Sequence, residues 1–203
     1  MAPALERVEA LYDELARRIA DFAAQPENPH LCRAGCSACC TSSAFFALTL
    51  VEALFWSRGV AALDDEARAR AREAARAMVV LQPQHGIGAA PRQEPAFAHA
   101  IGALCRAHRP PCPLLRDDLC STYATRPLLC RCYGAPVDAY AVQRDDALIF
   151  RSLCALYEGA ELRDYVRARD VRAELDALSS GLCADGVDVG RFTSAEAILA
   201  EVC

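Results

Sequence analysis

Residues 5–24 repeat apolar side chains at intervals of three and four, which places those side chains on one face of an amphipathic helix. Proline cannot donate to the helix ladder and disfavours helical geometry in the residue before it, so Pro26 and Pro29 end this helix. The apolar face consists of Leu5, Val8, Tyr12, Leu15, Ile19 and Phe22.

A capping box predicts the second helix. Thr49 is followed three residues later by Glu52, the arrangement in which the two residues satisfy each other's free backbone N–H groups. The apolar run that follows extends the helix through Trp56 to about Ser57, and Gly59 is a natural end for it.

Four further helices are predicted from the same periodicity and from start and stop residues. One begins at Asp64 or Asp65 and extends to about residue 81, and a shorter one covers residues 96–108. Another covers residues 164–178, and a last one begins at the capping box of Thr193 and Glu196. The apolar face of the 164–178 helix consists of Ala168, Val171, Leu175 and Leu178.

The rest of the chain is less regular. Prolines at 110, 111 and 113 surround Cys112 and exclude helix there, so the second cysteine-rich stretch is expected to be loop-like. The Leu148-Ile149-Phe150 stretch fits either a short strand or the start of a helix.

Composition supports a mainly α fold. Alanine and leucine supply much of the 54% apolar content, which favours helix over sheet, and 203 residues suit a single domain. We therefore expect one helical domain, 1–203, with two cysteine-rich loops converging on a metal or iron–sulfur site. Its parts would be an N-terminal helix (1–25), a cysteine-cluster core (32–133) and a C-terminal helical part (137–203).

The net charge of −5 gives no positive field for nucleic acid or for an anionic membrane surface. The most apolar window, residues 44–56, is shorter than the roughly 20 residues needed to cross a bilayer. The first residues lack the basic and apolar pattern of an export signal. We thus expect a cytoplasmic protein without nucleic-acid or membrane partners.

In a reducing compartment its 12 cysteines indicate metal ligands or redox groups rather than disulfides.

Eight cysteines fall in two short stretches, which we call the first cysteine segment (residues 32–40) and the second cysteine segment (residues 112–132). A metal held by both would close the 71 residues between Thr41 and Pro111. Zinc and iron–sulfur centres both use thiolates, but tetrahedral zinc needs only four, and adjacent Cys39 and Cys40 are hard to place on one ion. The excess suggests an iron–sulfur cluster, a multinuclear site or an unliganded reactive thiol. The segment cysteines are Cys32, Cys36, Cys39, Cys40, Cys112, Cys120, Cys130 and Cys132.

Across residues 32–133 the motif order resembles the YkgJ-type cysteine-cluster family of zinc- or iron-chelating proteins, which is related to flagellin lysine N-methylase. The matching motifs are Cys32…Gly35-Cys36…Cys39-Cys40, Leu48-Thr49…Glu52, Cys112-Pro113-Leu114-Leu115, Cys120-Ser-Thr-Tyr123 and Arg126-Pro127…Cys130-Arg131. The resemblance implies a metal or cluster on a subset of Cys32, Cys36, Cys39, Cys40, Cys112, Cys120 and Cys130. Cys132 departs from the family pattern and is an extra ligand, a resolving thiol or a buried small residue.

Three neighbours of the cysteines have candidate roles. Arg126 and Arg131 are expected either to hydrogen-bond the sulfurs and lower thiol pKa values, or to fix the loop by pairing with Asp117, Asp118 or backbone carbonyls. Tyr123 is expected to pack against the site as a lid.

The other cysteines and two histidines are weaker candidates for metal ligands. Cys105, Cys183 and Cys203 are interpreted as core or surface residues, whereas Cys154 is an even choice between core and ligand. His30 and His108 flank the two cysteine segments, and neither is expected to be a ligand.

Three functions are compatible with these features: a metal-binding protein, a protein-modifying enzyme of the lysine N-methylase kind, and a thiol redox or metal sensor. The enzyme hypothesis, which implies a protein substrate or partner, depends on family analogy alone. The sensor hypothesis uses Cys39-Cys40 and the Cys130-x-Cys132 pair as reactive thiols.

Overall fold

The computed structural model describes residues 1–26, 35–41, 45–88, 96–138, 142–144, 147–149, 165–183 and 190–200. Over these residues the chain is mainly helical, as its periodicity predicts. The helices are α1 (Ala2–Ala23), α2 (Leu50–Ala61), α3 (Asp65–Leu81), α4 (Ala96–His108), α5 (Leu128–Cys132), α6 (Arg169–Gly181) and α7 (Ser194–Leu199).

The strands of the described residues form short antiparallel pairs. Strand β1 (Ala47–Leu48) pairs with β6 (Phe192–Thr193), and β2 (Leu115–Arg116) pairs with β3 (Leu119–Cys120). Strand β4 (Val142–Arg144) pairs with β5 (Ala147–Ile149), which assigns Leu148 and Ile149 to a strand, while Phe150 lies outside the described residues.

Helix α2 lies between two apolar clusters. On one side Val51 and Phe55 pack with α1, α5 and α6. On the other side Ala53, Trp56 and Val60 pack with α3, α4 and α7. A helix that buries two faces must be apolar on both, which accounts for the Ala-Leu-Phe-Trp run at residues 53–56.

The capping box of α2 is present and is extended by tertiary contacts. The backbone N–H of Thr49 donates to Glu52 Oε2 at 3.1 Å, and the Glu52 N–H donates to Thr49 Oγ1 at 3.3 Å. The other carboxylate oxygen, Oε1, accepts from the Tyr12 hydroxyl at 3.2 Å and from the Leu128 N–H at 3.0 Å. Glu52, only 7% exposed, therefore connects α1, α2 and α5.

The predicted end of α2 is wrong, because Gly59 lies inside the helix, which continues to Ala61. A Cβ atom at Gly59 would lie 1.9 Å from Thr125 Oγ1. Gly59 is there because Thr125 packs directly against the helix backbone, a tertiary contact that the local sequence does not reveal.

The start of α6 is also later than predicted, at Arg169 rather than Asp164. Val166 forms a bridge with Val137 and donates its N–H to Pro136 O at 2.8 Å, so the chain is extended there. The helix is capped by Asp138, whose Oδ1 accepts from the N–H groups of Ala168 and Arg169 at 2.7 and 2.9 Å.

The last helix begins at the predicted capping box, with Thr193 and Glu196 each bonded to the other's backbone. Among the helices in the described part of the chain, none combines the length and apolarity that crossing a bilayer requires.

Candidate metal centre

The described part of the first cysteine segment is a tight turn. Gly35 has a φ of +82°, which favours glycine, and Ser37 O accepts from the N–H groups of Cys40 and Thr41 at 2.8 and 3.1 Å. The turn brings the Sγ atoms of Cys39 and Cys40 to 3.7 Å from each other. Cys36 is half-buried next to Gly35, whereas Cys32 lies outside the described residues.

The second cysteine segment is more ordered than the loop that its prolines predict. Strands β2 and β3 form a hairpin whose two turn residues, Asp117 and Asp118, have φ values of 48° and 60°. Two successive left-handed residues are typical of the type I′ hairpin turn, which Asp and Asn tolerate. The Asp-Asp pair between Leu115-Arg116 and Leu119-Cys120 was the pattern that could have predicted this hairpin.

Helix α5 carries Cys130 and Cys132, so these cysteines are helical rather than in a loop. Pro127 is compatible with this helix because it occupies the N-cap position, where a backbone N–H is not needed for the helical hydrogen bonds.

Among the described residues, two direct hydrogen bonds join the cysteine segments. The N–H of Cys112 donates to the carbonyl oxygen of Cys40 at 2.7 Å. The Ser37 hydroxyl donates to Asp118 Oδ1, in the hairpin turn, at 2.6 Å. The two segments are therefore in contact although 71 residues lie between them.

The thiols of both segments affect one another electrostatically. Burial raises the pKa of Cys130 well above its usual value, and the negative charges of Cys112, Cys120 and Cys39 raise it further. The hydrogen bond between the neighbouring Cys39 and Cys40 thiols favours the protonated form of Cys39 and raises its pKa, and burial adds to the effect. One thiol of the first segment and three of the second thus lie close enough for their charges to interact.

The Cys112 thiol is buried and its sulfur accepts backbone hydrogen bonds. Burial raises the pKa of its thiol to about 12, and the charges of Cys120 and Cys39 contribute to the increase. Hydrogen bonds from the backbone of Leu114 and Leu115 act in the opposite direction and favour the thiolate. Backbone donors directed at a sulfur would stabilise it as an anionic ligand.

The Cys120 side of the site is supported from the core. The Trp56 indole N–H donates to Thr122 Oγ1 at 2.8 Å, and the same hydroxyl lies 3.8 Å from Cys120 Sγ. Thr122 is 5% exposed and so has a fixed position. Thr122 belongs to the Cys120-Ser-Thr-Tyr123 motif, but the sequence alone assigned it no role, because a single threonine near a cysteine has no distinguishing pattern.

The arginines fix the loop through backbone carbonyls. Arg131 donates from Nε to Arg126 O at 2.7 Å and also to Ala124 O, and Arg126 donates to Tyr123 O at 3.1 Å. The charge of Arg126 also lowers the pKa values of the Cys39 and Cys130 thiols, against the larger opposing effects. Both predicted roles of Arg126 therefore have support.

The predicted lid is wrong. Tyr123 is 62% exposed, and its ring is covered by the Arg126 guanidinium at 3.4 Å from the ring centroid. Tyr123 begins a 3₁₀ turn (Tyr123–Thr125) at the surface, so its ring stacks on Arg126 instead of covering the thiols.

Cys132 is a core residue. It is fully buried in the cluster around α1 and α6, and burial raises its pKa. Cys105 donates to Phe45 O at 3.2 Å and Cys183 to Ser179 O at 3.3 Å, which fits the structural roles expected for them. Cys154, Cys203 and His30 lie outside the described residues.

Among the described residues, no three His, Cys, Asp or Glu side chains are arranged ready to hold a metal ion. The donor set nevertheless fits one, since thiols are the ligands that zinc and iron–sulfur centres prefer and these thiols belong to two segments that are in contact. The fold provides direct contact between two cysteine segments that are far apart in the sequence.

A family model named CxxCxxCC, described as a "putative zinc- or iron-chelating domain", matches residues 31–155. The match covers more than half of the chain and includes both cysteine segments. Comparisons with curated proteins and with solved structures give no match. The chain belongs to the CxxCxxCC family.

Proposed function

We propose that this protein binds zinc or an iron–sulfur cluster through thiolates from both cysteine segments. The observation that carries the proposal is the direct contact of the segments, in which Cys112 N–H donates to Cys40 O at 2.7 Å. The candidate ligands are Cys32, Cys36, Cys39, Cys40, Cys112, Cys120 and Cys130.

The electrostatics of the site support a cation. In the metal-free chain burial and mutual repulsion raise the pKa values of Cys112 and Cys130, so these thiols keep their protons at neutral pH. Several thiolates could occupy this space only with a positive ion to offset their charge. Metal binding supplies that ion and releases the thiol protons to solvent.

The number of candidates favours an iron–sulfur cluster or more than one metal over a single zinc. Four thiolates saturate a tetrahedral zinc ion, whereas seven candidates are available. The 3.7 Å separation of the Cys39 and Cys40 sulfurs shows that adjacent side chains can point the same way, so both could serve one multinuclear centre.

Anaerobic purification with metal and sulfide analysis distinguishes these centres. A cluster predicts brown protein with broad visible absorbance and with iron and acid-labile sulfide in similar amounts. Zinc in a fixed ratio to colourless protein would identify a zinc site and exclude the cluster. Protein that holds neither metal, even after anaerobic reconstitution, would contradict the proposal.

A redox sensor is the second candidate, because the Cys39 and Cys40 sulfurs are in contact. The raised pKa of Cys39 argues against it, since the thiolate is the form that reacts with oxidants. Mild peroxide should therefore leave the thiol count of the metal-free protein unchanged. A reversible loss of two thiols would favour the sensor.

The YkgJ-type resemblance suggests a third candidate, an enzyme related to flagellin lysine N-methylase with a protein substrate. It depends on analogy rather than on a described contact. S-adenosylmethionine binding, measured by calorimetry on the metal-loaded protein, is the necessary condition for it. Lack of binding would remove this candidate and leave the metal proposal intact.

A further inference from the structure

Two histidines meet outside the cysteine segments. His85 Nε2 lies 2.9 Å from His108 Nε2, and the two rings are nearly perpendicular, with centroids 5.0 Å apart. In the metal-free chain the two nitrogens share a proton in a hydrogen bond. The contact lies at the surface, within reach of solvent ions.

Both histidines are held by rigid parts of the fold. His85 ends a 3₁₀ turn (Pro83–His85) that is flanked by buried Gln82 and Ile87, each 3% exposed. The Gln82 side chain donates to Thr193 Oγ1 at 3.0 Å, which anchors the turn to the start of α7. His108 is the last residue of the 13-residue helix α4. The 3₁₀ turn and α4 are in contact, so the backbone places the two histidine side chains next to each other.

The distance between the nitrogens suits a shared metal ion. Imidazole nitrogens bind zinc at about 2.0–2.1 Å, so two nitrogens on one ion lie about 2.9 Å apart at a right angle and about 3.4 Å apart at a tetrahedral angle. The observed 2.9 Å lies at the lower end of this interval. Small rotations of the two rings at the surface would direct both lone pairs at one ion without repacking the core.

We propose that His85 and His108 form a second metal site, specific for divalent transition ions that prefer imidazole, such as Zn²⁺, Ni²⁺ or Cu²⁺. The ion takes the place of the hydrogen between the two Nε2 atoms: the donor ring exchanges its proton through solvent to the Nδ1–H tautomer, both rings bind as neutral imidazoles, and water completes the coordination. The proposal does not depend on the cysteine centre.

Calorimetric titration of Ni²⁺ tests this site. The protein is purified anaerobically with its resident metal, whose content is measured before and after the titration. The wild type is compared with His85→Gln and His108→Gln. A matched control is His99→Gln, which removes an exposed imidazole from the same helix. Circular dichroism establishes that all variants fold alike, which surface substitutions should permit.

We expect one Ni²⁺ site in the wild type and in His99→Gln, weakened on the order of tenfold or more in each of the other two variants. Resident metal content should be equal in all four proteins, so failure of the cysteine proposal would not affect this result. Lack of a wild-type site, or a site that either His85→Gln or His108→Gln leaves unchanged, would overturn the inference.

Discussion

Glu52 is the residue on which three helices depend. Its carboxylate accepts hydrogen bonds from Thr49, Tyr12 and Leu128, which belong to or adjoin α2, α1 and α5. Because the group is buried, the loss of this acceptor would remove a buried hydrogen bond from several donors at once. Helix α5 carries Cys130, so Glu52 also sets the position of a candidate ligand.

We predict that Glu52→Ala lowers the free energy of unfolding by about 3 kcal/mol or more, since several buried donors lose their acceptor at once. Urea denaturation measures the change. Glu66→Ala is the matched control, because the Glu66–Arg70 ion pair on α3 is exposed and should contribute less than about 1 kcal/mol. Equal losses from the two variants would show that Glu52 is not the junction described.

Gly59 and Gly102 form a second natural comparison within helices. Alanine is favoured over glycine in a helix by about 1 kcal/mol. Gly102→Ala should show part of this gain, because a Cβ there meets only the flexible end of Arg106 at 3.2 Å. Gly59→Ala should instead destabilise the protein, because its Cβ would lie 1.9 Å from Thr125 Oγ1.

The thermal unfolding midpoints of the two glycine variants test these opposite stability changes. A higher midpoint for Gly102→Ala and a lower one for Gly59→Ala would confirm that Thr125 packs on the backbone of α2. An increase in both midpoints would mean that the contact does not constrain Gly59.

At the scale of elements, the sequence predicted the start of a helix where the capping residues are adjacent to the helix, and failed where the cap comes from a distant part of the chain. The starts of α2 and α7 were predicted correctly because Thr49 and Thr193 each have a glutamate three residues later. The start of α6 was not, because its cap is Asp138, about 30 residues earlier in the chain.

In the candidate site, too, the sequence predicted the local features and not those that depend on distant residues. Cysteine spacing located both segments, and the Cys112–Cys40 contact places them together. Their detailed structure depends on long-range contacts such as that of Ser37 with Asp118, which no local pattern contains. Helix α5 escaped prediction because it is only five residues long and its position depends on Glu52.

Ser179 provides an element-scale prediction. Its hydroxyl lies on α6, donates to Leu175 O at 2.8 Å and accepts from the Val51 N–H, in the first turn of α2, at 3.1 Å. Ser179→Ala should therefore cost about 1–2 kcal/mol, as expected for loss of a helix cap, and should speed hydrogen exchange at the Val51 amide.

The neighbouring serine is the control for this experiment. Ser180 bonds within its own helix, to Asp176 O at 3.0 Å, and is exposed. Ser180→Ala should change stability by less than about 0.5 kcal/mol. If Val51 exchanged at the wild-type rate in Ser179→Ala, this cap would not contribute to α2.

At the scale of the whole molecule, two apolar clusters on either side of α2 stabilise the helices, while the cysteine segments are joined by few described contacts. A metal bound by both segments would connect Cys40 to Cys112 and close the long stretch between them. We therefore expect the metal to stabilise the segments more than the helical core.

Stability of the metal-free protein should fall as pH rises above about 8.5, the ordinary pKa of a cysteine. Buried Cys112, Cys130 and Cys132 have raised pKa values in the folded chain, so unfolding allows them to ionise and alkaline pH favours the unfolded state. Metal-loaded protein should show a smaller decline, because its ligands are already deprotonated.

Denaturation midpoints at pH 7 and pH 9.5, with and without a chelator, measure this difference. The steeper decline should belong to the chelated sample. Identical pH dependence in the two samples would mean that the buried thiols are not ligands.

Metal content of matched cysteine variants tests the central claim, that one centre takes ligands from both segments. The variants are Cys39→Ser from the first segment, Cys130→Ser from the second and Cys183→Ser, whose thiol donates to Ser179 O at 3.3 Å, as the control. Each is purified anaerobically, and zinc, iron and sulfide are measured per chain. We predict that Cys39→Ser and Cys130→Ser each lose most of the metal, while Cys183→Ser retains the wild-type amount. Metal loss from only one segment, or from neither, would contradict the claim.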